Sequence, residues 1–287
     1  MTRILALIAV LFAFAAPSAI AKNDYSCDKK FIFFPGGPEG GPFGTIVYNG
    51  AVAAAEHTGC DVDYYWSQWN SEIMIKQFKE AVALQPDGIA IYGFPGDEAM
   101  RPIIKEAREM GIVITTMNTP LPDLEAEYKT TGFGYAGADL FDAGYNLGKK
   151  GVEVCGLSSG DKAFVWGLAS MPNRGERTKG AIKALEDLGV EVVYQEIPDN
   201  VNSDASQGTP MYVATYSANP DIKMAITDHG GLTASLPTYM KAAGHGTEEV
   251  CGAGFDLSAP IVDGINSGYI DVVIDQQPFI QGYIPIV

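Results

Sequence analysis

Short apolar runs of strand length alternate along this chain with longer stretches in which apolar residues recur every three or four positions. The runs predict strands at Phe31–Phe34, Val62–Trp66, Gly88–Tyr92, Ile112–Thr116, Ala163–Gly167, Val190–Tyr194, Met224–Thr227, Gly252–Phe255 and Val272–Ile274. Ile75, Phe78 and Val82 stand at helical spacing, as do Ile103, Ala107 and Met110, and later Ala181, Leu185 and Leu188; each set predicts a helix with one buried face. One junction recurs where helix gives way to strand: Thr58-Gly59-Cys60, Pro86-Asp87-Gly88, Met110-Gly111-Ile112, Leu188-Gly189-Val190 and Asn219-Pro220-Asp221. Gly or Pro there stops a helix and releases the chain into an extended segment. A βα unit repeated in this way, with strands apolar almost throughout, predicts parallel sheets covered on both faces. The strands suit either one barrel or two smaller doubly wound sheets, and periodicity leaves both open. The Gly-rich stretch Thr131-Gly132-Phe133-Gly134-Tyr135 is placed to mark a crossing between two lobes, and Gln276-Gln277-Pro278 a second.

The first residues stand outside that pattern. Met1 to Ala21 holds one basic residue, Arg3, an apolar run from Ile4 to Ala16 and a small-residue end, Ala19-Ile20-Ala21. This predicts a secretory signal peptide cleaved after Ala21 and a periplasmic product; the run, broken by Pro17 and Ser18, falls short of the roughly 20 residues that span a bilayer. The 287 residues suffice for one large domain or two medium ones, and 47% hydrophobic with 19% charged residues describes a chain that folds. A net charge of −16 argues against a phosphate-backbone partner, so no nucleic acid is expected.

Four cysteines, Cys27, Cys60, Cys155 and Cys251, lack the close spacing of a zinc or redox site, and export permits disulfides. Cys27 and Cys60 each precede a predicted strand by a few residues. If those strands are parallel neighbours their starting ends lie side by side, which pairs the two. For Cys155 and Cys251, a bridge and two buried thiols stay equally open.

The loop Pro35–Gly44 follows the first strand where a nucleotide loop would sit, but it contains neither Gly-x-Gly-x-x-Gly nor a P-loop lysine. It reads instead as a ligand loop at a strand's carboxyl end, carrying Phe43 as an aromatic face. Asp228-His229-Gly230-Gly231 has no nucleophile elbow or His-Glu-x-x-His partner, and three histidines in all (His57, His229, His245) make a poor metal cluster; a neutral hydrogen-bonding role in a cleft fits His229 better. Asp256 ends another strand, where helix capping is the plain alternative. Asn118, His229, Asp256 and Gln276 all emerge at strand ends of the same kind, with Phe43, Trp69, Tyr92, Phe94 and Trp166 near equivalent ends. Planar polar groups and aromatic rings together suit a sugar.

At Ile226-Thr227-Asp228-His229, Gly252-Ala253-Gly254-Phe255-Asp256 and Ile274-Asp275-Gln276-Gln277-Pro278 the chain resembles the type I periplasmic sugar-binding proteins of ABC importers, from about Lys30 to its last residue. The resemblance implies an α/β fold of two doubly wound parallel-sheet lobes joined by a hinge, with residues 22–135 plus 277–287 in the first lobe and 136–276 in the second. It implies Phe43 stacking on a sugar, Asn118, Asp256 and Gln276 hydrogen-bonding it, His229 where relatives often carry Asn, and an arginine supplied by Arg174 or Arg177. Met117 stands where ribose binders often have Asp. A third crossing and a last strand are also implied, so the chain reads as C-terminally truncated. The expected function is capture of a sugar or sugar-like polyol by a monomer and its delivery to an inner-membrane ABC permease, with no cofactor, no metal and no catalysis. The alternatives are a periplasmic receptor for a sugar-like signal and a secreted carbohydrate-active enzyme using Asp228 and Asp256.

Overall fold

The computed structural model describes residues 27–287; the leader expected at Met1–Ala21 lies outside the described residues. Two separate five-stranded sheets form, not one barrel. The first contains β1 (Lys30–Phe33), β2 (Asp61–Tyr64), β3 (Gly88–Tyr92), β4 (Val113–Met117) and β5 (Phe133–Ala136) in the order β2-β1-β3-β4-β5, every neighbour parallel. The second contains β6 (Lys162–Gly167), β7 (Glu191–Glu196), β8 (Ile222–Thr227), β9 (Cys251–Phe255) and β10 (Val272–Ile274) in the order β10-β9-β8-β6-β7, again all parallel. Parallel pairing requires crossovers, which helices supply: α1 (Pro42–Thr58), α2 (Ser71–Ala83), α3 (Asp97–Glu109) and α4 (Pro122–Tyr128) between the strands of the first sheet, and α6 (Glu176–Asp187), α7 (Asp199–Ser203), α8 (Thr209–Ala218), α9 (Gly230–Ala243) and α10 (Ala259–Asn266) between those of the second.

Local chemistry sets these boundaries. Pro42 occupies the first turn of α1, where its missing N–H costs nothing, and Gly59 ends the helix at φ 75°. The Asn70 side chain accepts the Ile73 N–H to start α2. Gly111 and Gly189 stop their helices at φ 84° and 74°, leaving Met110 and Leu188 just past the helix ends and exposed, not on the buried faces their spacing predicts. β3 is buried along its whole length, as a central strand covered on both faces should be. The Gly-rich stretch predicted as a crossing instead supplies most of β5, and the chain crosses just beyond it.

Two helices follow the crossings. α5 (Leu140–Cys155) comes after β5 yet packs on α6 and the second sheet, and α11 (Pro278–Tyr283) comes after β10 yet packs on α1. Both contacts are backbone-close. A Cβ on Gly144 would strike the Arg177 carbonyl and one on Gly180 the Phe141 carbonyl; on Gly50 and Gly282 it would strike the carbonyls of Phe279 and Val47. Reciprocal glycines thus let each helix of a pair lie in the groove of the other.

Cys27 and Cys60 are bridged, and the parallel register Lys30 to Asp61 explains why: the two cysteines stand just ahead of adjoining strand starts, their Cα atoms 4.6 Å apart. Cys155 and Cys251 are bridged as well, Cα to Cα 5.8 Å, joining the end of α5 to the start of β9. Sequence counting left that pair open because 96 residues separate its members.

Candidate functional site

In each sheet the strand order reverses beside its first strand, between β1 and β3 and between β6 and β8. Loops leaving carboxyl ends on either side of such a reversal diverge to opposite faces and open a crevice. The two crevices face each other across a cleft of about 470 Å³. Phe43 reaches it from the first turn of α1, not from the loop its sequence predicts, Phe94 from just past β3, Asn118 from the end of β4, Arg174 and Arg177 from the segment after β6, His229 after β8, Asp256 after β9 and Gln276 after β10. All six residues singled out as ligand contacts, Phe43, Asn118, Arg174, His229, Asp256 and Gln276, therefore line one cavity. Of the aromatic residues near strand ends, Trp69 and Phe94 line it too, whereas Tyr92 and Trp166 are fully buried core residues on the sheets beneath.

Asn118 and Asp256 turn the chain out of their strands in the left-handed region, at φ 58° and 77°, a conformation short polar side chains tolerate. The turn presents each side chain to the cleft while keeping it 5% and 4% exposed. A continuous polar chain then spans the crossing between the lobes. Asp256 Oδ2 accepts the Gly230 N–H at 3.0 Å, at the first turn of α9, and Asp256 Oδ1 accepts from Gln276 Nε2 at 2.6 Å. Gln276 Oε1 accepts from Asn118 Nδ2 at 3.1 Å and from Arg177 Nη2. Asn118 Nδ2 also donates to Gln281 Oε1 at 3.2 Å, and Gln281 Nε2 returns to the Gln276 carbonyl at 2.7 Å.

Asp228 lies behind this wall, not in it. Its carboxylate pairs with Arg174 and accepts from the Thr178 hydroxyl at 2.8 Å, while its carbonyl accepts from Arg177 Nη1 at 3.1 Å. Burial pushes the carboxyl up, but the charges of Arg174 and Arg177 together with the Thr178 hydrogen bond hold it below the ordinary carboxylate range. The aspartate thus fixes both guanidinium groups. Arg177 is further seated over the Phe255 ring at 4.3 Å, and burial followed by the adjacent Arg174 charge lowers it to about 9. Burial likewise drives Asp256 up to about 6 despite Arg177, and His229 down to about 4, so the imidazole is neutral at pH 7.

Arg174 Nη1, Arg177 Nε and His229 Nε2 are buried with no partner among the described residues. A buried polar group left unpaired costs roughly 1–3 kcal/mol, so these three atoms leave the cleft wall short of polar partners. The lobes also touch beside the cleft: Asn173, at φ 55°, donates through Nδ2 to Asp97 Oδ2 at 2.9 Å and to the Pro120 carbonyl at 3.1 Å.

Sequence reasoning missed one stretch of the cleft. Asn202 to Ser206, at the end of α7 and just past it, lines the cavity. Asp204 caps its own turn there, accepting from the Ser206 N–H at 3.1 Å and the Ser206 hydroxyl at 2.7 Å. The run Asn200-Val201-Asn202-Ser203-Asp204-Ala205-Ser206, dense in capping residues after a strand, was the available signal. Among the described residues no group of three or more His, Cys, Asp or Glu side chains is placed to hold a metal, and no helix is long and apolar enough to cross a membrane.

The chain is 22% identical over 238 residues to the xylose/arabinose-binding protein XylF of Sulfolobus acidocaldarius, covering 78% of this chain and 57% of that protein. It is 23% identical over 190 residues to the D-ribose/D-allose-binding protein of Pseudomonas aeruginosa, covering 63% of this chain and 56% of the other. It therefore spans little more than half the length of these relatives. The fold superposes on GanP, a glucose-galactose binding protein from Geobacillus stearothermophilus, with a TM-score of 0.77 at 21% identity, over 90% of this chain and 88% of that one. The family model of the periplasmic binding protein domain matches residues 32–287, and the chain belongs to that family.

Proposed function

We propose that this chain is a non-enzymatic, exported solute-binding protein that captures a sugar or sugar-like polyol between its lobes and delivers it to an inner-membrane ABC permease. The observation that carries the reading is the convergence on one cleft of aromatic rings from the first lobe and fixed planar donors and acceptors from the second. Phe43 covers the apolar face of the ligand; Arg174, His229, Asp256 and Gln276 exchange hydrogen bonds with its hydroxyls, and Asn118 meets it where the lobes join. The names of the relatives, which bind xylose, arabinose, ribose or allose, point the same way. Asp228 is a poor catalytic carboxylate because it is locked against Arg174 outside the cavity.

We assign residues 22–135 and 277–287 to the first lobe and 136–276 to the second, with the mature protein starting after Ala21 and acting as a monomer. The packing of α5 on the second sheet and of α11 on α1 supports the division. A thermal-shift screen of monosaccharides and polyols, followed by calorimetry and chromatography of the recovered ligand, tests the reading. Saturable binding with the ligand returned intact is expected. Failure of every sugar and polyol to bind, or turnover of one, rejects it.

A further inference from the structure

The two walls of the cleft differ in kind. The second lobe offers Arg174, Arg177, His229, Asp256, the polar run Asn202–Ser206 and, at the crossing, Gln276. The first lobe offers three rings, Phe43, Trp69 and Phe94, with prolines and glycines between them, and a single hydrogen-bonding side chain, Asn118. The amide nitrogen of Asn118 is already engaged twice, by Gln276 and Gln281, leaving its oxygen for a guest. The indole nitrogen of Trp69 lies against Gly37, which is not part of the cavity lining. No carboxylate or cation stands on this wall.

The rings, moreover, do not form a platform. Trp69 and Phe43 are inclined by 52° with centroids 6.1 Å apart, and Trp69 and Phe94 by 65° at 5.5 Å. A flat pyranose or furanose face laid on Trp69 cannot also lie on Phe43 or Phe94. The other two meet the edge of the ligand, where a sugar ordinarily carries hydroxyls. A hydroxyl enclosed among the rings loses its water and finds no partner on this wall. A methyl or methylene group at the same place loses nothing and fills the cup.

Resting on the sugar-binding reading above, we propose that the site selects a deoxy sugar, whose hydroxyl-free carbon is enclosed by Phe43, Trp69 and Phe94 while its hydroxyls face the second lobe. An apolar pocket rejects an added hydroxyl by up to about a hundredfold, so a deoxy sugar binds roughly ten- to a hundredfold tighter than its hydroxylated parent.

The test is calorimetry on matched pairs: L-rhamnose with L-mannose, L-fucose with L-galactose, D-fucose with D-galactose, and 2-deoxy-D-ribose with D-ribose. The expected result is a preference of at least about tenfold for the deoxy member of one pair, with that ratio reduced at least about fivefold in Phe43→Asn. Trp69→Asn is the second variant, chosen because φ at position 69 is 54°, which Asn tolerates. Binding in which every hydroxylated parent equals or exceeds its deoxy partner overturns the inference and leaves the sugar reading standing. A deoxy preference untouched in both folded variants overturns its assignment to these rings. No binding by any of these sugars, when other sugars or polyols from the screen do bind, again overturns the inference alone; no binding by any sugar or polyol overturns both.

Discussion

Replacing Asp256 by Asn separates what this carboxylate does for the fold from what it does for the ligand. The group is buried, held by Gln276 Nε2 at 2.6 Å and the Gly230 N–H at 3.0 Å, and burial raises it from 3.8 to about 6. One pH unit of displacement corresponds to about 1.4 kcal/mol, so ionised Asp256 costs the folded protein about 3 kcal/mol. That cost is absent below about pH 3, where the side chain is protonated folded or unfolded. It grows as pH rises through the interval between 3.8 and 6, because the folded state there holds a proton the unfolded chain has released. Asn cannot ionise, but its single oxygen satisfies only one of the two donors, a loss of roughly 1–3 kcal/mol at every pH. The stability of Asp256→Asn relative to the parent should therefore climb by about 3 kcal/mol between pH 3 and pH 7.5. Asp228 and His229 titrate in both proteins and drop out of the difference. Urea unfolding of the two proteins across that range reads the effect. At pH 7.5 the same substitution removes a charged acceptor from the cleft, and calorimetry should find affinity lower by about tenfold to over a hundredfold. Parallel stability curves would refute the assignment of a buried, strained ionisation to Asp256; undiminished affinity would remove it from the binding wall.

His229, held neutral down to about pH 4, supports the fold above its ordinary value of 6.5, and that support is lost as pH falls toward 4, because the unfolded chain takes up the proton first. His229→Gln should consequently lose less stability than the parent between pH 6.5 and 4, measured by thermal unfolding at each pH. Gly144→Ala drives a methyl into the Arg177 carbonyl, and displacing α6 should cost about 1–3 kcal/mol while also weakening ligand affinity, a double effect that calorimetry and thermal unfolding report together. The Cys155–Cys251 bridge closes a loop of about a hundred residues, so the Cys155→Ser, Cys251→Ser double variant should lose up to about 5 kcal/mol and melt well below the parent; an unchanged melting temperature would show that the bridge adds nothing.

Most strands were legible because parallel strands buried on both faces are apolar runs, and β3 is the clearest case. β5 was not: of Phe133-Gly134-Tyr135-Ala136, Gly and Ala give little strand signal, and the strand sits at a sheet edge, paired only with β4. The number of sheets could not be read because the pattern of each βα unit is local, whereas closure into a barrel or separation into two sheets depends on pairings between distant units. In the cleft, Asn118, Asp256 and Gln276 were readable from their place after strands. Trp166 and Asp228 occupy similar places, yet one belongs to the core and the other to a buried ion pair. Position along a strand fixes which end a side chain leaves from, and only three-dimensional packing decides whether it faces the cavity or the layer beneath.

The reciprocal glycines that bring α5 against α6 and α11 against α1 also determine how this molecule can deform. Helices locked at backbone contact move with the layer they touch, so rotation of one lobe against the other falls on the few residues between each strand end and its locked helix, 137–139 and 275–277. Gln277 holds a left-handed φ of 56° at the second pivot, and its neighbour Gln276 ties Asp256, Arg177 and Asn118 together. A torsional change at that pivot displaces an amide of the cleft wall. Lobe angle and the geometry of the cleft wall are therefore a single mechanical coordinate, and a change in one is carried to the outer shape of the protein.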